Sequence, residues 1–494
     1  MSFSSGKPHI QRRSAWAGTV FLLLSYYMLL PANIYQIETI QNTFYLYVVP
    51  VLVAAVFYFR RFQNGTEYKL LFAYWIWFWF SRALNGSPLL GHDFRVFFDL
   101  SLTLPFFALG VALSKAERIR FLDWLSAVIG GFYFIIGLIA LVAFLRRSMY
   151  EIPILDGKIG IIREAGYARI NFFEHHPNVT GYWFLIALFL MIYQFFHCEK
   201  KLWRIPILLS AVLDLIMIAV TYSRSVRLCM ALAFSLLAAM LLLQVLHHKP
   251  RFLRMVLAFA AAGFVLIAAY EGSGLCADIM ATLSYDIADM HTASGPAEQK
   301  TARVESRISV RPMLLSSGKG EAPAAVELAG GLVQSDPRPK SGDLNKLSSD
   351  RILIWRVAFQ AIGKMPSVLW RGRMCDDVMT APDGMDWSGV PAGQPVNYHN
   401  ALIQVLMTVG LPGLMLAVSF LILVFWKGFR LLFSGKLPLD DRVLVLPVVT
   451  VLPRIMIEAY LFTSTNIRTL FFFLMCGILI GFTREHRSLE ARRG

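Results

Sequence analysis

The sequence predicts an all-α polytopic membrane protein with about twelve transmembrane helices, and three observations carry that expectation. Over half of the 494 residues are hydrophobic and only 16% are charged, which is too apolar for a soluble chain of this size. The apolar residues come in runs of about 15–25, the length that crosses a hydrocarbon core of roughly 30 Å. A chain in that layer must satisfy its backbone groups internally, and no alternating ten-residue barrel pattern is visible.

Taken in order, the spans fall near 15–31, 43–59, 69–82, 96–114, 121–145, 179–197, 205–220, 226–247, 252–271, 400–426, 443–461 and 468–483. The first follows Lys7, Arg12 and Arg13, and no small-residue cleavage site precedes Pro31, so it reads as a retained signal-anchor helix. The third is short and Trp-rich. Every second loop is basic: Arg60 and Arg61; Lys115, Arg118 and Arg120; Lys200, Lys201 and Arg204; Lys249, Arg251 and Arg254. The alternation continues in Lys427, Arg430, Lys436 and Arg442, then in Arg484, Arg487, Arg492 and Arg493. By the positive-inside rule both termini are then cytoplasmic. The same distribution explains the formal charge of +15 as topology, and no nucleic-acid partner is expected.

The opposite, outer face receives two long loops, 146–178 and 271–399. The expected organisation is therefore spans 1–9 over 1–270, a large outer loop over 271–399, and spans 10–12 with a cytoplasmic tail over 400–494. Residues 292–348 are rich in Ser, Gly, Ala, Pro and charge and read as a mobile insertion. At Arg351 the pattern changes to apolar residues at helical spacing, with Ser348, Ser349 and Asp350 as capping residues. The five Cys show no CxxC or metal spacing. Cys276 and Cys375 flank the insertion and are open to two readings, a bridge or two unpaired thiols.

Candidate site residues gather at the outer ends of the spans. Arg224 and Arg227 lie in the short loop between spans seven and eight, where the positive-inside rule gives no reason for them. They fit either an interfacial pair reaching lipid headgroups or an anion site whose planar forks match phosphate oxygens. Arg351 opens the predicted outer helix, where backbone N–H groups already favour anions, though an exposed surface residue fits too. His399 stands where the long loop meets the tenth span, and Gly410 and Pro412 should break that helix a few turns on. A histidine there can act as a general base or as an interfacial cap. Arg454 and Glu458, four apart in the eleventh span, should pair and face the bundle interior. Around His175, His176 and Asn178 polar groups concentrate, but adjacent histidines rarely ligate one metal and no metal is expected.

Together these segments resemble the O-antigen ligase/polymerase family of bacterial envelope glycosyltransferases. The carriers are Ser223-Arg224, Asp350-Arg351 followed by Trp355, His399-Asn400 before Gly410-Leu-Pro-Gly413, and His176-Pro-Asn178, in that sidedness. The resemblance implies a GT-C-like membrane fold in the bacterial inner membrane with its active site on the outer face. It implies transfer of a glycan from undecaprenyl diphosphate to the hydroxyl of a glycolipid (lipid A-core-like) or another glycan acceptor. It also implies His399 as catalytic base, with Arg224, Arg351 and Arg227 at the donor diphosphate and no metal or other cofactor. His176, Asn178, Asn400, Arg454 and Glu458 would support them. Fixed guanidiniums can stabilise a departing diphosphate as a metal does elsewhere. The chain departs from the family in having Pro366-Ser-Val-Leu-Trp-Arg-Gly372 after the Arg–Trp helix, and in its 292–348 insertion.

Ligase and polymerase differ little at this level, and the long loop before His399 favours ligase. A polysaccharide or lipid transporter is the rival from another class. Transporters show paired repeats with broken helices at the bilayer midplane. Here one Gly/Pro break has no partner, and the polar residues gather at one surface.

Overall fold

The computed structural model describes residues 65–85, 101–152, 157–164, 167–172, 177–293, 351–373, 398–433, 439–456, 461–462 and 467–491. The first two expected spans, the insertion, Asp350, Cys375 and Glu458 lie outside them. Among the described residues six helices are long and apolar enough to cross a membrane: Lys115–Leu145, Pro177–His197, Lys201–Val220, Arg224–Val245, Arg251–Ser284 and Ala401–Phe433. The chain is thus a multi-pass membrane protein.

The described helices are α1 (Thr66–Leu84), α2 (Thr103–Ala112), α3 (Lys115–Leu145), α4 (Pro177–His197), α5 (Arg204–Val220), α6 (Arg224–Val245) and α7 (Arg251–Ala293). After the insertion come α8 (Arg351–Lys364), α9 (Ser367–Arg371), α10 (Ala401–Phe433), three short helices α11 (Leu439–Val443), α12 (Leu446–Val449) and α13 (Leu452–Ile455), and α14 (Ile467–Ala491). Of the expected span at 96–114, the described part holds α2, and residues 96–100 lie outside the described ones. Two spans differ from expectation. The ninth runs on as one helix of 43 residues, about 64 Å at 1.5 Å per residue, so helix replaces loop from 271 to Ala293. Cys276 sits in that extension as a free thiol and makes no bridge. The eleventh span is divided, because Pro447 and Pro453 lack the N–H that would continue the ladder.

The spans are helical as expected, and one loop adds a small sheet. Loop 146–178 carries a three-stranded antiparallel sheet of β1 (Met149–Ile152), β2 (Gly157–Glu164) and β3 (Tyr167–Phe172), in which Ile161 faces Ile170 in register. The signal was present in the β-branched Ile159, Ile161 and Ile162 between Asp156-Gly157 and Ala165-Gly166. The surrounding spans overshadow it.

Helix ends sort onto two faces in agreement with the loop charges. On the basic face, Glu67 at the start of α1 pairs with Lys427 and with Arg484 (3.5 Å), Arg118 pairs with Glu485, and Lys115 lies 4.0 Å from Asp441. Arg442 donates to Gln244, at the end of α6, over 2.8 Å. On the other face, Asn85 reaches Arg371, Ser284 donates to the Phe144 carbonyl, and Tyr222 donates to that of Ala277. Between the faces one apolar core runs through α1–α6 and α10–α14. A second, smaller cluster joins Ile354, Val357 and Ala361 of α8 to Val368, Tyr398, Ile403 and Met407. That cluster fixes the candidate site.

Candidate functional site

The site is best built outward from His399. Asn400 caps α10: its side-chain oxygen accepts the N–H groups of Leu402 at 2.9 Å and Ile403 at 3.1 Å, donors that would otherwise lack partners. Its amide donates to the Met456 carbonyl at 3.2 Å. On the other side of His399, the buried Tyr398 gives its N–H to the Gln404 side chain (3.1 Å), and its carbonyl accepts the Trp355 indole N–H (2.9 Å). His399 is thereby held between two fixed neighbours, half-buried, in the left-handed region with φ 47°. That conformation costs a non-glycine residue on the order of 1 kcal/mol, and such residues cluster at functional sites.

Trp355 brings α8 with it. Ile354, Val357, Ala358 and Ala361 form the buried stripe of this helix, at the spacing the sequence showed. Arg351 is its first residue, half-buried and one turn from Trp355 on the same side. The structure therefore brings the Arg351 turn to the segment that presents His399.

Arg224 opens α6. Ser223 caps that helix, accepting the Val226 N–H at 3.4 Å, and the Arg224 side chain is exposed. Arg227, one turn on, is directed elsewhere: Nη2 donates to the Tyr270 carbonyl at 2.7 Å, and the guanidinium lies 4.7 Å from the Tyr270 ring centroid. The two arginines that sequence reading grouped are thus separated. One stands at the start of α6 and the other ties α6 to α7.

Arg454 faces the bundle interior, as expected, but rests on Tyr182 of α4, with Cζ 3.8 Å from the ring centroid. It lies two residues before Met456, the acceptor for Asn400. Asn178 is half-buried in the first turn of α4, behind Pro177 at the first helical position. His175, His176 and Glu458 lie outside the described residues.

The break in α10 falls where Gly410 and Pro412 predict it. Gly410 has φ 73° and ψ −174° inside an otherwise helical run. Two carbonyls freed by the break find other donors. Met407 accepts the Arg373 N–H at 2.7 Å, and Val409 accepts the Trp77 indole N–H at 2.7 Å. Sequence reading did not foresee the contacts of Trp77, Tyr182, Gly372 and Arg373, because each depends on a partner far away in the chain.

Residues 209–418 match the family model described as O-antigen ligase. The matched stretch contains Arg224, Arg227, Arg351, Trp355, His399, Asn400 and the α10 break, whereas Asn178 and Arg454 flank it. Comparison with curated proteins found no matching relative. From within α5 to the middle of α10, this membrane protein is similar to the O-antigen ligase family.

Proposed function

We propose that the protein moves a glycan from undecaprenyl diphosphate to an acceptor hydroxyl at the outer face of the bacterial inner membrane. The observation that carries this reading is the setting of His399. It is an αL histidine locked between a helix cap and the Trp355 bond, with the Arg351 turn on the same helix as Trp355, inside the family-matched stretch. In the proposed reaction, His399 takes the proton of the acceptor hydroxyl as its oxygen bonds to the anomeric carbon. The bond from that carbon to the phosphate oxygen breaks, and undecaprenyl diphosphate leaves with the electron pair. Arg351 and Arg224 stabilise the negative charge that grows on it, and no metal is required. The acceptor is a lipid A-core-like glycolipid or another glycan, and extension of a lipid-linked chain by the same chemistry is the polymerase alternative.

The test is transfer in membranes from cells producing wild-type protein or His399→Ala at equal levels. A general base contributes about 10²–10⁴-fold, so transfer should fall by that factor while undecaprenyl diphosphate binding persists. Near-normal transfer by the variant would remove the assignment.

A further inference from the structure

Arg454 is 7% exposed, deep among helices. Two other arginines of the described fold, Arg118 and Arg227, show what a structural arginine looks like here. Arg118 donates to the Leu113 carbonyl at 2.6 Å and pairs with Glu485, and the half-buried Arg227 donates to the Tyr270 carbonyl while stacking on its ring. Arg454 has the ring without the acceptor. Its guanidinium lies on Tyr182 at 3.8 Å, its Nη1 is buried with no hydrogen-bond partner, and among the described residues no carboxylate pairs with it.

An aromatic face offsets part of a cation's desolvation, but it leaves the in-plane N–H groups unused. These are the groups that recognise phosphate or carboxylate in a planar, two-pronged fashion. If the position served packing alone, an apolar side chain of similar volume would serve it at least as well. The placement points the same way. Met456, two residues on, accepts the amide of Asn400, the residue after His399. Tyr182 lies in the second turn of α4, and α13 packs against α6, the helix that Arg224 opens.

We infer that Arg454 is a further anion-binding residue of this site, which takes a phosphate oxygen of the lipid diphosphate donor on its ring-backed guanidinium. The inference rests on the proposed glycan transfer and adds a cation that neither the family-matched stretch nor the expected Arg454–Glu458 pair assigns. The donor would supply a negative charge that the described residues do not. Phosphodiester headgroups of membrane lipids share this chemistry, and the experiment must separate the two sources.

Purified wild type, Arg454→Met and Arg454→Gln would be titrated in detergent with undecaprenyl diphosphate and, separately, with phosphatidylglycerol, and melted with and without each. Undecaprenyl diphosphate should bind either variant about ten- to hundredfold more weakly, the weight of one or two charge-assisted hydrogen bonds. The ligand-free melting temperature should hold or rise in Arg454→Met, since an uncompensated buried charge has been removed, while the stabilisation by undecaprenyl diphosphate shrinks. Unchanged diphosphate affinity, or a ligand-free protein that melts lower, would overturn the inference and leave a structural arginine. Dependence of phosphatidylglycerol binding alone on Arg454 would overturn it in favour of a headgroup seat. Should His399→Ala lose transfer while both Arg454 variants bind donor normally, glycan transfer stands and this inference alone falls. A wild-type protein that binds no undecaprenyl diphosphate would take both down.

Discussion

Gly372 and Gly410 meet backbone to backbone, and each adopts a positive φ, 65° and 73°. A Cβ on Gly372 would overlap the Thr408 carbonyl, and one on Gly410 would overlap that of Trp370. Nothing larger fits at either position. The crossing seats α9 and the two residues after it in the notch where α10 breaks. The Arg371 carbonyl then accepts bonds from Ser81 and, at 3.0 Å, from Asn85 at the end of α1. The α8–α9 segment is thus anchored to α1 and α10 some ten residues beyond His399.

The first prediction follows from that contact. Gly410→Ala and Gly372→Ala should each lower the melting temperature of the purified protein. A left-handed Ala costs about 1–2 kcal/mol, and relief of the overlap costs more. Gly263, with nothing within 4 Å of its Cβ position in α7, is the control, and Gly263→Ala should melt as wild type or higher. Equal melting of Gly410→Ala and wild type would show that α9 does not depend on this notch.

Trp355→Phe keeps an aromatic ring and removes the N–H that Tyr398 accepts. The net worth of such a bond is about 1 kcal/mol, so the protein should fold. The effect should appear in transfer instead, because a small misplacement of a catalytic group can cost about 10²-fold. We expect turnover to fall at least tenfold with little change in apparent donor affinity, measured in the same membranes as His399→Ala. A variant that loses only stability would assign Trp355 to packing.

At the basic face, Glu67 is 1% exposed and serves both Lys427 and Arg484. Glu67→Gln removes the carboxylate that these two cations share. Breaking a buried pair costs about 3–5 kcal/mol, less here because both cations are partly exposed. A drop of about 2–3 kcal/mol in stability is expected, and Lys427→Met added to Glu67→Gln should recover part of it. No recovery in the double variant would mean that Glu67 acts through something other than charge.

The six long apolar helices among the described residues were legible because the bilayer imposes one rule, an apolar run of span length, and α3 to α6 obey it closely. Where a span departs, a second physical term intervenes. Prolines at 447 and 453 divide the eleventh, and the helix after 271 continues because nothing in residues 271–293 stops it. The short sheet at 149–172 is half-hidden by its polar loop setting. Arg224, Arg351, His399 and Gly410 were legible because each breaks a local rule: a basic residue on the wrong face, a charge at a helix start, a polar group at a span mouth, a breaker inside a span. The bonds from Trp355 to Tyr398 and from Trp77 to Val409, and the contact of Arg454 with Tyr182, join residues 43 to 332 positions apart. No local pattern encodes them.

The last prediction distinguishes charge from shape at Arg224 and Arg351. Arg224 is exposed at the start of α6, and Arg351 is half-buried at the start of α8. A mere positive charge at either helix start could be lysine. A residue that grips a diphosphate needs the planar fork, which lysine lacks. Arg351→Lys and Arg224→Lys should therefore both impair transfer, by about tenfold or more if one of two parallel N–H···O bonds is lost. The weaker donor binding should appear as a raised apparent donor KM, and wild-type melting temperature should persist because neither charge is removed. Transfer should also continue in EDTA, since fixed guanidiniums carry the charge of the leaving group. Full activity in both lysine variants would reduce these residues to interfacial cations. Loss of activity in EDTA that returns with Mg²⁺ or Mn²⁺ would instead move the charge stabilisation to a bound metal, and with it the reason for two arginines at these helix ends.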